Sequence, residues 1–159
     1  MKIKWLLAML LCASSNCVNA DVPFTILPNG QEVSDANTGL IWRRCLEGMV
    51  VNGGSCTGNA TVFTHEAALT QANTHATTTG VAWRLPNVKE LASIVDKTRL
   101  NPALDPVAFP LDNGNCTTWS SSPRSLYVNY AWYVSFFVGD ISSQDRNVAL
   151  CVWLVRTGQ

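Results

Sequence analysis

The polar and apolar residues between positions 30 and 44 follow the pattern of a β-hairpin. A polar segment over residues 31–34 leads to Asp-Ala-Asn-Thr-Gly at 35–39, and the apolar residues 40–42 follow it. Asp, Asn and Gly favour tight turns, and Gly39 is the residue best suited to a positive φ. The pattern therefore predicts two strands joined by a turn at residues 35–39.

A first helix is expected to begin after residue 64. Thr64 is a suitable N-cap, and Glu66 in the first turn lies near the positive end of the helix dipole. We expect this helix to cover residues 65–73. Residues 74–80 are rich in threonine, which predicts the loop that ends the helix.

A second helix is predicted by a stronger signal. Asn87 can act as the N-cap, and Glu90, three residues later, is its capping-box partner. The apolar stripe of this helix consists of Leu91, Ile94 and Val95. Pro102 and Pro106 exclude further regular helix in the segment that follows.

The last third of the chain has the composition of β-strands. A short strand is expected over residues 116–120, and residues 131–138 alternate in polarity. The residues on one side of this strand are Trp132, Val134, Phe136 and Val138. A turn at residues 139–140 follows, and the apolar run over residues 148–155 is typical of another strand. Helices and strands do not alternate along the whole chain, so the predicted fold class is α+β and not a doubly wound parallel sheet.

Residues 1–20 have the organisation of a secretory signal peptide. Two lysines precede an apolar run over residues 5–13, and residues 18–20 match the positions that signal peptidase reads, with cleavage expected before Asp21. Nine apolar residues in a helix span roughly 14 Å, whereas a bilayer core is about 30 Å thick, so a retained anchor is disfavoured. We therefore expect an exported protein, periplasmic or extracellular, with one domain over residues 21–159 and no later membrane span.

Composition and charge exclude two further classes of protein. The chain is 47% hydrophobic and 14% charged, which is too apolar for a disordered chain. It has 11 basic and 11 acidic side chains, and without the signal peptide its formal net charge is −2. A chain with no run of Lys and Arg and no net positive charge is not expected to bind nucleic acid.

Four cysteines follow the expected cleavage site. They are Cys45, Cys56, Cys116 and Cys151. An even number in an exported protein indicates two disulfides, for which three pairings are possible. We favour Cys45 with Cys56, because this pair closes a short glycine-rich loop, and this leaves Cys116 for Cys151. These cysteines include no C-x-x-C pair, which argues against a thioredoxin-like redox site and a zinc ribbon.

The histidines are expected to be structural or at the surface, and several tryptophans are expected to be structural. His65 and His75 belong to no zinc-binding or catalytic pattern in the sequence. Trp42, Trp83 and Trp153 lie among apolar neighbours and are expected in the core. We therefore predict no catalytic residue and no cofactor.

A short polar segment is the first candidate for ligand binding. Asp112, Asn113 and Asn115 surround Gly114 and resemble a fragment of a calcium-binding loop. The remaining ligands of an EF-hand are missing, and a plain Asn-Gly turn is the alternative. We predict no metal site, but these three side chains are kept as candidate ligand contacts.

The better candidate for a ligand-binding surface is the segment over residues 124–130. Between two predicted strands it combines a cation, an amide and two phenols, which are Arg124, Asn129, Tyr127 and Tyr130. Such a mixture is common in recognition loops, and an ordinary connection is the alternative. Together with residues 112–115, this segment forms the predicted ligand-binding surface.

Four blocks of the sequence occur in a familiar order. They are Asp35-x-x-Thr38-Gly39-Leu40-Ile41-Trp42, Trp83-Arg84-Leu85-Pro86-Asn87-x-x-Glu90-Leu91, Trp119-Ser120-Ser121-Ser122 and Cys151-Val152-Trp153-Leu154-Val155-Arg156. Over about residues 24–156 the chain resembles the Lcl C-terminal domain family, which is named after a collagen-like bacterial adhesin. The Trp-Arg-Leu-Pro block before a capped helix is quite specific.

The resemblance implies a C-type-lectin-like fold, with two helices packed on a small, mainly antiparallel sheet. It also implies an adhesin-like role, because the family's named member binds sulfated glycosaminoglycans. This chain departs from that member, since it contains no Gly-x-y repeat and its only adjacent basic pair is Arg43 and Arg44. The Glu-Pro-Asn and Trp-Asn-Asp motifs of calcium-dependent lectins are also missing. Arg84 matches the family block and is expected to be structural, at the corner between strand and helix.

These observations together predict an exported, non-catalytic binding module whose partner is a glycan or a surface protein. The alternative is a protein-interaction or structural subunit of a cell-envelope assembly. An enzyme is not expected. The same broad fold occurs in the formylglycine-generating family, whose chemistry needs reactive cysteines, whereas all four cysteines here are assigned to disulfides.

Overall fold

Eleven strands and two helices are formed within residues 23–158, the part of the chain that the computed structural model describes. The expected signal peptide lies outside these residues. The strands are β1 (Phe24–Ile26), β2 (Glu32–Asp35), β3 (Leu40–Arg43), β4 (Val50–Asn52), β5 (Ser55–Thr57), β6 (Val62–Phe63), β7 (Thr117–Pro123), β8 (Tyr130–Ser135), β9 (Asp140–Asp145), β10 (Leu150–Cys151) and β11 (Val155–Thr157). The helices are α1 (His65–Thr79) and α2 (Val88–Ser93).

The strands of residues 23–158 are arranged in three sheets. The first has the order β1-β2-β3-β11, the second has the order β6-β10-β7-β8-β9, and β4 and β5 form a separate pair. All neighbouring strands are antiparallel except β10 and β7. The α+β class with mainly antiparallel sheets is therefore confirmed.

The predicted hairpin is confirmed as the pair β2 and β3. Gly39 has φ +70°, as the turn requires. Asp35 stabilises the turn through its carboxylate, which accepts hydrogen bonds from the Asn37 backbone N–H (2.9 Å) and the Thr38 hydroxyl (2.6 Å). Because these hydrogen bonds join residues close in sequence, the turn could be predicted from the sequence.

The first helix is longer than predicted. It begins after Thr64 as expected, but it continues through the threonine-rich segment, and the prediction of a loop over residues 74–80 was wrong. The hydroxyls of Thr77, Thr78 and Thr79 each donate to the carbonyl four residues earlier, at 2.8–2.9 Å. Threonine is thus accommodated within a helix, and the left-handed Gly80 (φ 68°) ends it instead.

The second helix is confirmed together with its capping box. Asn87 Oδ1 accepts from the backbone N–H of Lys89 and Glu90, and Glu90 Oε2 accepts from the Asn87 N–H at 2.8 Å. Arg84 donates to both carboxylate oxygens of Glu90, each at 2.7 Å. These bonds to Arg84 are the largest cause of the lowered pKa of Glu90. Arg84 therefore holds the corner before the helix, as the sequence predicted.

The predicted strand over residues 148–155 was wrong as a single element. The chain forms β10 in the second sheet, leaves it, and then forms β11 in the first sheet. Between them the carbonyls of Val152 and Leu154 accept hydrogen bonds from the backbone N–H of Glu47 and Arg43, each at 3.0 Å. The run is continuously apolar because it crosses the interior from one sheet to the other.

The hairpin of β8 and β9 was predicted in part. β8 ends at Ser135, and residues 136–139 form the turn, in which the Gly139 N–H donates to the Ser135 carbonyl at 2.8 Å. Of the residues on the predicted face, Val134 and Phe136 are buried, but Val138 is exposed. β9 was missed, because its sequence, Asp-Ile-Ser-Ser-Gln-Asp, lacks an apolar alternation.

The core contains the three tryptophans that were predicted to be buried. Trp42, Trp83 and Trp153 are each at most 5% exposed. Phe109 packs edge-on against Trp153 and Trp42, with ring centroids 5.3 Å and 6.5 Å apart. The residues around Phe109 and those around Trp83 form two separate apolar clusters.

Both disulfides form in the favoured pairing. Cys45 bonds to Cys56 with their Cα atoms 5.7 Å apart, and Cys116 bonds to Cys151 at 5.9 Å. The first closes the loop that contains β4 and β5, and the second joins the start of β7 to β10. Within the described residues, no helix is both long and apolar enough to cross a membrane.

Candidate functional site

The seven predicted ligand-binding residues fall into two groups at opposite ends of β7. Asp112, Asn113 and Asn115 lie in the loop that precedes the strand, and the loop over residues 124–130 follows it. A strand of seven residues spans on the order of 20 Å. The structure therefore does not bring the two groups into one site.

The loop over residues 112–115 is packed against the backbone of the neighbouring hairpin. A Cβ added to Gly114 would overlap the Phe136 carbonyl group, with 2.6 Å to its carbon atom. The Gly114 N–H donates to Asn101 Oδ1 at 2.8 Å, and the Asn115 N–H donates to Asn113 Oδ1 at 3.2 Å. Within residues 23–158, no group of three or more His, Cys, Asp or Glu side chains is arranged to hold a metal ion. These contacts hold the loop beside Asn101 and the backbone of Phe136.

The second group forms a compact stack of aromatic rings and one cation. The guanidinium carbon of Arg124 lies 4.4 Å from the ring centroid of Tyr127 and 5.6 Å from that of Trp132. Arg124 Nη1 also donates to the Ser143 hydroxyl at 2.7 Å. The rings of Tyr127 and Tyr130 lie 6.1 Å apart, close to edge-on. We call residues 124–130 the aromatic loop.

The backbone of the aromatic loop is closed by its own hydrogen bonds. The Arg124 N–H donates to the Tyr130 carbonyl (3.0 Å), the Tyr127 N–H to the Arg124 carbonyl (3.0 Å), and the Tyr130 N–H to the Tyr127 carbonyl (2.8 Å). The three residues at its tip point outward: Leu126 is 86%, Tyr127 52% and Val128 78% exposed. The loop thus presents apolar and phenolic groups from a defined backbone.

The base of the aromatic loop rests on Arg146. The Arg146 N–H donates to the Asn129 carbonyl at 2.8 Å, and the Arg146 carbonyl accepts from the His65 N–H at 2.9 Å. Arg146 Nε donates to His65 Nδ1 at 3.1 Å, and His65 Nε2 lies 2.9 Å from the Ser120 carbonyl oxygen. A small cavity of about 240 Å³ beside this contact is lined partly by Val128, Asn129 and Arg146.

His65 has an unusual environment for a histidine. Its side chain is packed edge-on against Trp119 at 5.3 Å, and only 1% of the residue is exposed. Burial lowers the pKa of His65, and the positive charge of Arg146 lowers it further, whereas the bond to the Ser120 carbonyl acts in the opposite direction. The imidazole therefore favours its neutral form.

His75 also has a structural position, as the sequence predicted. One ring nitrogen lies 3.0 Å from Nη1 of Arg43, and the other lies 3.7 Å from a carboxylate oxygen of Glu47. Gln71 donates to the same carboxylate oxygen at 3.0 Å. These contacts join α1 to the first sheet.

Sequence reasoning missed three residues of the candidate site. Trp132 lies on the predicted face of the strand with Val134 and Phe136, but it is only partly buried, and its ring lies beside Arg124. Ser143 belongs to the strand that was not predicted, and Arg146 lies in the turn after it. Only the alternation that contains Trp132 was visible in the sequence, and it did not show that Arg124 lies over this ring.

The comparison with protein families agrees with the sequence blocks. The model of the Lcl C-terminal domain matches residues 31–156, which is most of the chain. Searches of curated proteins and of solved structures gave no match. The chain belongs to the Lcl C-terminal domain family.

Proposed function

We propose that this member of the Lcl C-terminal domain family is an exported, non-catalytic binding module that holds a glycan or another cell-surface ligand on the aromatic loop. The observation that carries the proposal is the stack of Arg124 on Tyr127 and Trp132 at the exposed end of the second sheet. Aromatic rings offer an apolar face and a polar edge, which suits a ligand that has both kinds of surface.

The order of the aromatic loop supports a binding role. Three backbone hydrogen bonds close the loop, and Ser143 fixes the guanidinium of Arg124. A surface that is already ordered loses less conformational entropy when a ligand binds. Tyrosine adds contact area at low entropic cost, because its side chain has only two rotatable bonds.

The fold that we propose for this module is C-type-lectin-like. It is supported by the two helices, by the mainly antiparallel sheets and by the long segment without helix or strand over residues 94–116. In such an arrangement the sheets provide a rigid base and the loops at their ends carry recognition.

Export and the absence of catalysis are supported by the disulfides. Disulfides persist in oxidising compartments such as the periplasm and the cell exterior. All four cysteines among the described residues are paired in this way. Chemistry that needs a reactive thiolate would require one of these bonds to be open.

A second candidate function is recognition of a protein in a cell-envelope assembly. It is favoured by Leu126 and Val128, which are 86% and 78% exposed on either side of Tyr127. Neighbouring apolar side chains at a loop tip are typical of protein interfaces, where tyrosine and arginine contribute much of the binding energy.

The first test is binding of the exported, disulfide-bonded protein to a broad glycan panel that includes sulfated polysaccharides, with and without a chelator. We expect saturable binding that is lost in Arg124→Ala and in Tyr127→Ala. Phe137→Ala is the matched control, because Phe137 is also a half-exposed aromatic residue but lies beyond the other end of β8.

Each outcome distinguishes the candidates. Binding that survives both loop variants would contradict the assignment of the site to the aromatic loop. If the folded protein binds no glycan, but captures an envelope protein in a way that requires Tyr127, the second candidate is favoured. Sensitivity to the chelator would show that the ligand is held with the help of a metal ion.

A further inference from the structure

A buried histidine lies beneath the aromatic loop and has a different partner on each ring nitrogen. Nε2 of His65 faces the Ser120 carbonyl oxygen at 2.9 Å, and Nδ1 faces Nε of Arg146 at 3.1 Å. A carbonyl can only accept a hydrogen bond, and a guanidinium can only donate one. Both contacts are satisfied only by the neutral ring that carries its proton on Nε2.

Arg146 connects this ring to the aromatic loop through two kinds of contact. Its side chain donates to His65, while its backbone N–H donates to the Asn129 carbonyl at 2.8 Å. The His65 N–H in turn donates to the Arg146 carbonyl at 2.9 Å. The start of α1 and the base of the aromatic loop are therefore held by the same residue.

We propose that His65 and Arg146 are positioning residues for the aromatic loop, and that proton uptake by His65 loosens this loop. A proton on Nδ1 removes the acceptor for Arg146 and places two positive charges next to each other in a buried site. Arg146 then moves away from the ring, and its contact with Asn129 weakens. The inference rests on the proposed function in one respect, namely that the aromatic loop is the ligand surface, which would then bind less tightly in acid.

The charges around His65 are consistent with this mechanism. The ionisable side chains on α1, β8 and β9, and on the loop residues next to them, are Glu66, His75, Arg124, Tyr130, Tyr133, Asp140, Asp145 and Arg146. Within residues 23–158, only Arg146 among them forms a hydrogen bond with the imidazole. Asp145 instead accepts from the Asn147 backbone and side chain. In the described part of the chain, no carboxylate forms a hydrogen bond or an ion pair with the ring that would stabilise its charged form.

The decisive measurement is residue-level amide hydrogen exchange of the ligand-free, disulfide-bonded protein between about pH 7.5 and about pH 5, the range in which histidine titrates. The Arg146 amide reports the contact with Asn129, and the Cys56 amide, bonded to the Pro110 carbonyl, is the reference. After correction for intrinsic exchange, we expect the protection of Arg146 to fall by up to about tenfold per pH unit as the pH falls towards the midpoint of the His65 titration, as uptake of one proton requires, and to level off below it. The protection of Cys56 should not change.

Two variants assign the effect to one side chain. His65→Gln has an amide N–H for Ser120 and a carbonyl for Arg146, but it does not titrate, so its Arg146 protection should be independent of pH. His75→Gln is the matched control, because the chain contains only these two histidines, and it should keep the wild-type profile. In wild-type protein, the nuclear magnetic resonance titration of the His65 ring should have its midpoint at the pH where the loss of protection levels off.

Several results would overturn the inference. They are constant protection of Arg146 in wild-type protein, a wild-type profile in His65→Gln, a flat profile in His75→Gln, or a loss of protection that continues below the midpoint of the ring titration. The exchange experiment contains no ligand, so it is independent of the glycan panel. If protection responds to pH but no glycan in the panel binds, the proposed function is contradicted and the switch is not. If the aromatic loop binds a ligand but its protection does not depend on pH, the switch is contradicted and the proposed function is not.

Discussion

The loops before and after β7 both contain predicted ligand contacts, but they are held in different ways. The loop over residues 112–115 adjoins the Cys116–Cys151 disulfide, and its glycine lies against the Phe136 backbone without room for a side chain. The aromatic loop is held without a covalent link, by hydrogen bonds and by the stack of Arg124 on two rings. The comparison shows that the first loop is fixed by close packing of its backbone, whereas the second, which we propose for recognition, is held by local hydrogen bonds and side-chain stacking.

The largest expected effect is on the covalently held loop. Replacing Cys116 and Cys151 by alanine opens a link between residues 35 apart, which should lower the free energy of unfolding by about 4 kcal/mol. The matched variant, with Cys45 and Cys56 replaced, opens a separation of 11 and should lose about 3 kcal/mol. Equilibrium unfolding in urea measures both. A smaller loss for the longer separation would contradict the entropic account.

The second test changes one atom group in each loop. Gly114→Ala places a methyl group against the Phe136 backbone and should lower the free energy of unfolding by about 1–3 kcal/mol. Ser125→Ala, at an exposed position in the aromatic loop, should change it by less than about 0.5 kcal/mol. Urea unfolding compares the two variants. Equal effects would show that the loops do not differ in packing as described.

The third test uses pH. Folding lowers the pKa of His65, chiefly through burial, so the unfolded chain takes up the proton more readily. This contribution to stability is complete above the ordinary histidine pKa of about 6.5 and is lost as the pH falls towards the lower pKa of the folded state. Its slope is at most about 1.4 kcal/mol per pH unit, and urea unfolding at a series of pH values measures it. His65→Gln should remove this part of the pH dependence, and a slope unchanged in that variant would contradict the assignment.

The smallest effect on stability is expected at the tip of the aromatic loop. Tyr127 is half exposed, so Tyr127→Ala should lower the free energy of unfolding by only about 0.5 kcal/mol, mainly through the lost contact with Arg124. Ligand binding should be lost in the same variant. Thermal unfolding and the binding measurement together separate the two roles, and a large loss of stability would make Tyr127 a packing residue.

The elements that the sequence predicted correctly are those controlled by local contacts. The turn at residues 35–39 and the capping box of Asn87 and Glu90 each need only residues within four positions of one another. The two disulfides were predicted because the spacing of the cysteines favoured one pairing. The longer α1 was missed because threonine hydroxyls bond within a helix as well as in a loop.

The candidate site was predicted in part for the same reason. Arg124, Tyr127 and Tyr130 lie within seven residues, and the structure brings them together. Trp132 on β8 and Ser143 on β9 both contact Arg124. These contacts depend on how the strands pair, which local composition does not predict. The residues around Gly114 were grouped with them only because both segments are polar.

By itself, the sequence determined the class of the fold, the caps and turns, the disulfide pairs and the family. These follow from interactions between near neighbours, from cysteine spacing and from motif order. Only the tertiary structure decided that the apolar run over residues 148–155 divides between two sheets and that the two polar loops lie at opposite ends of β7. It also placed a buried histidine under the aromatic loop, 81 residues along the chain from the arginine that it contacts. Such contacts depend on which surfaces meet when the sheets and helices pack, and residues so far apart in the chain carry no local signal of them.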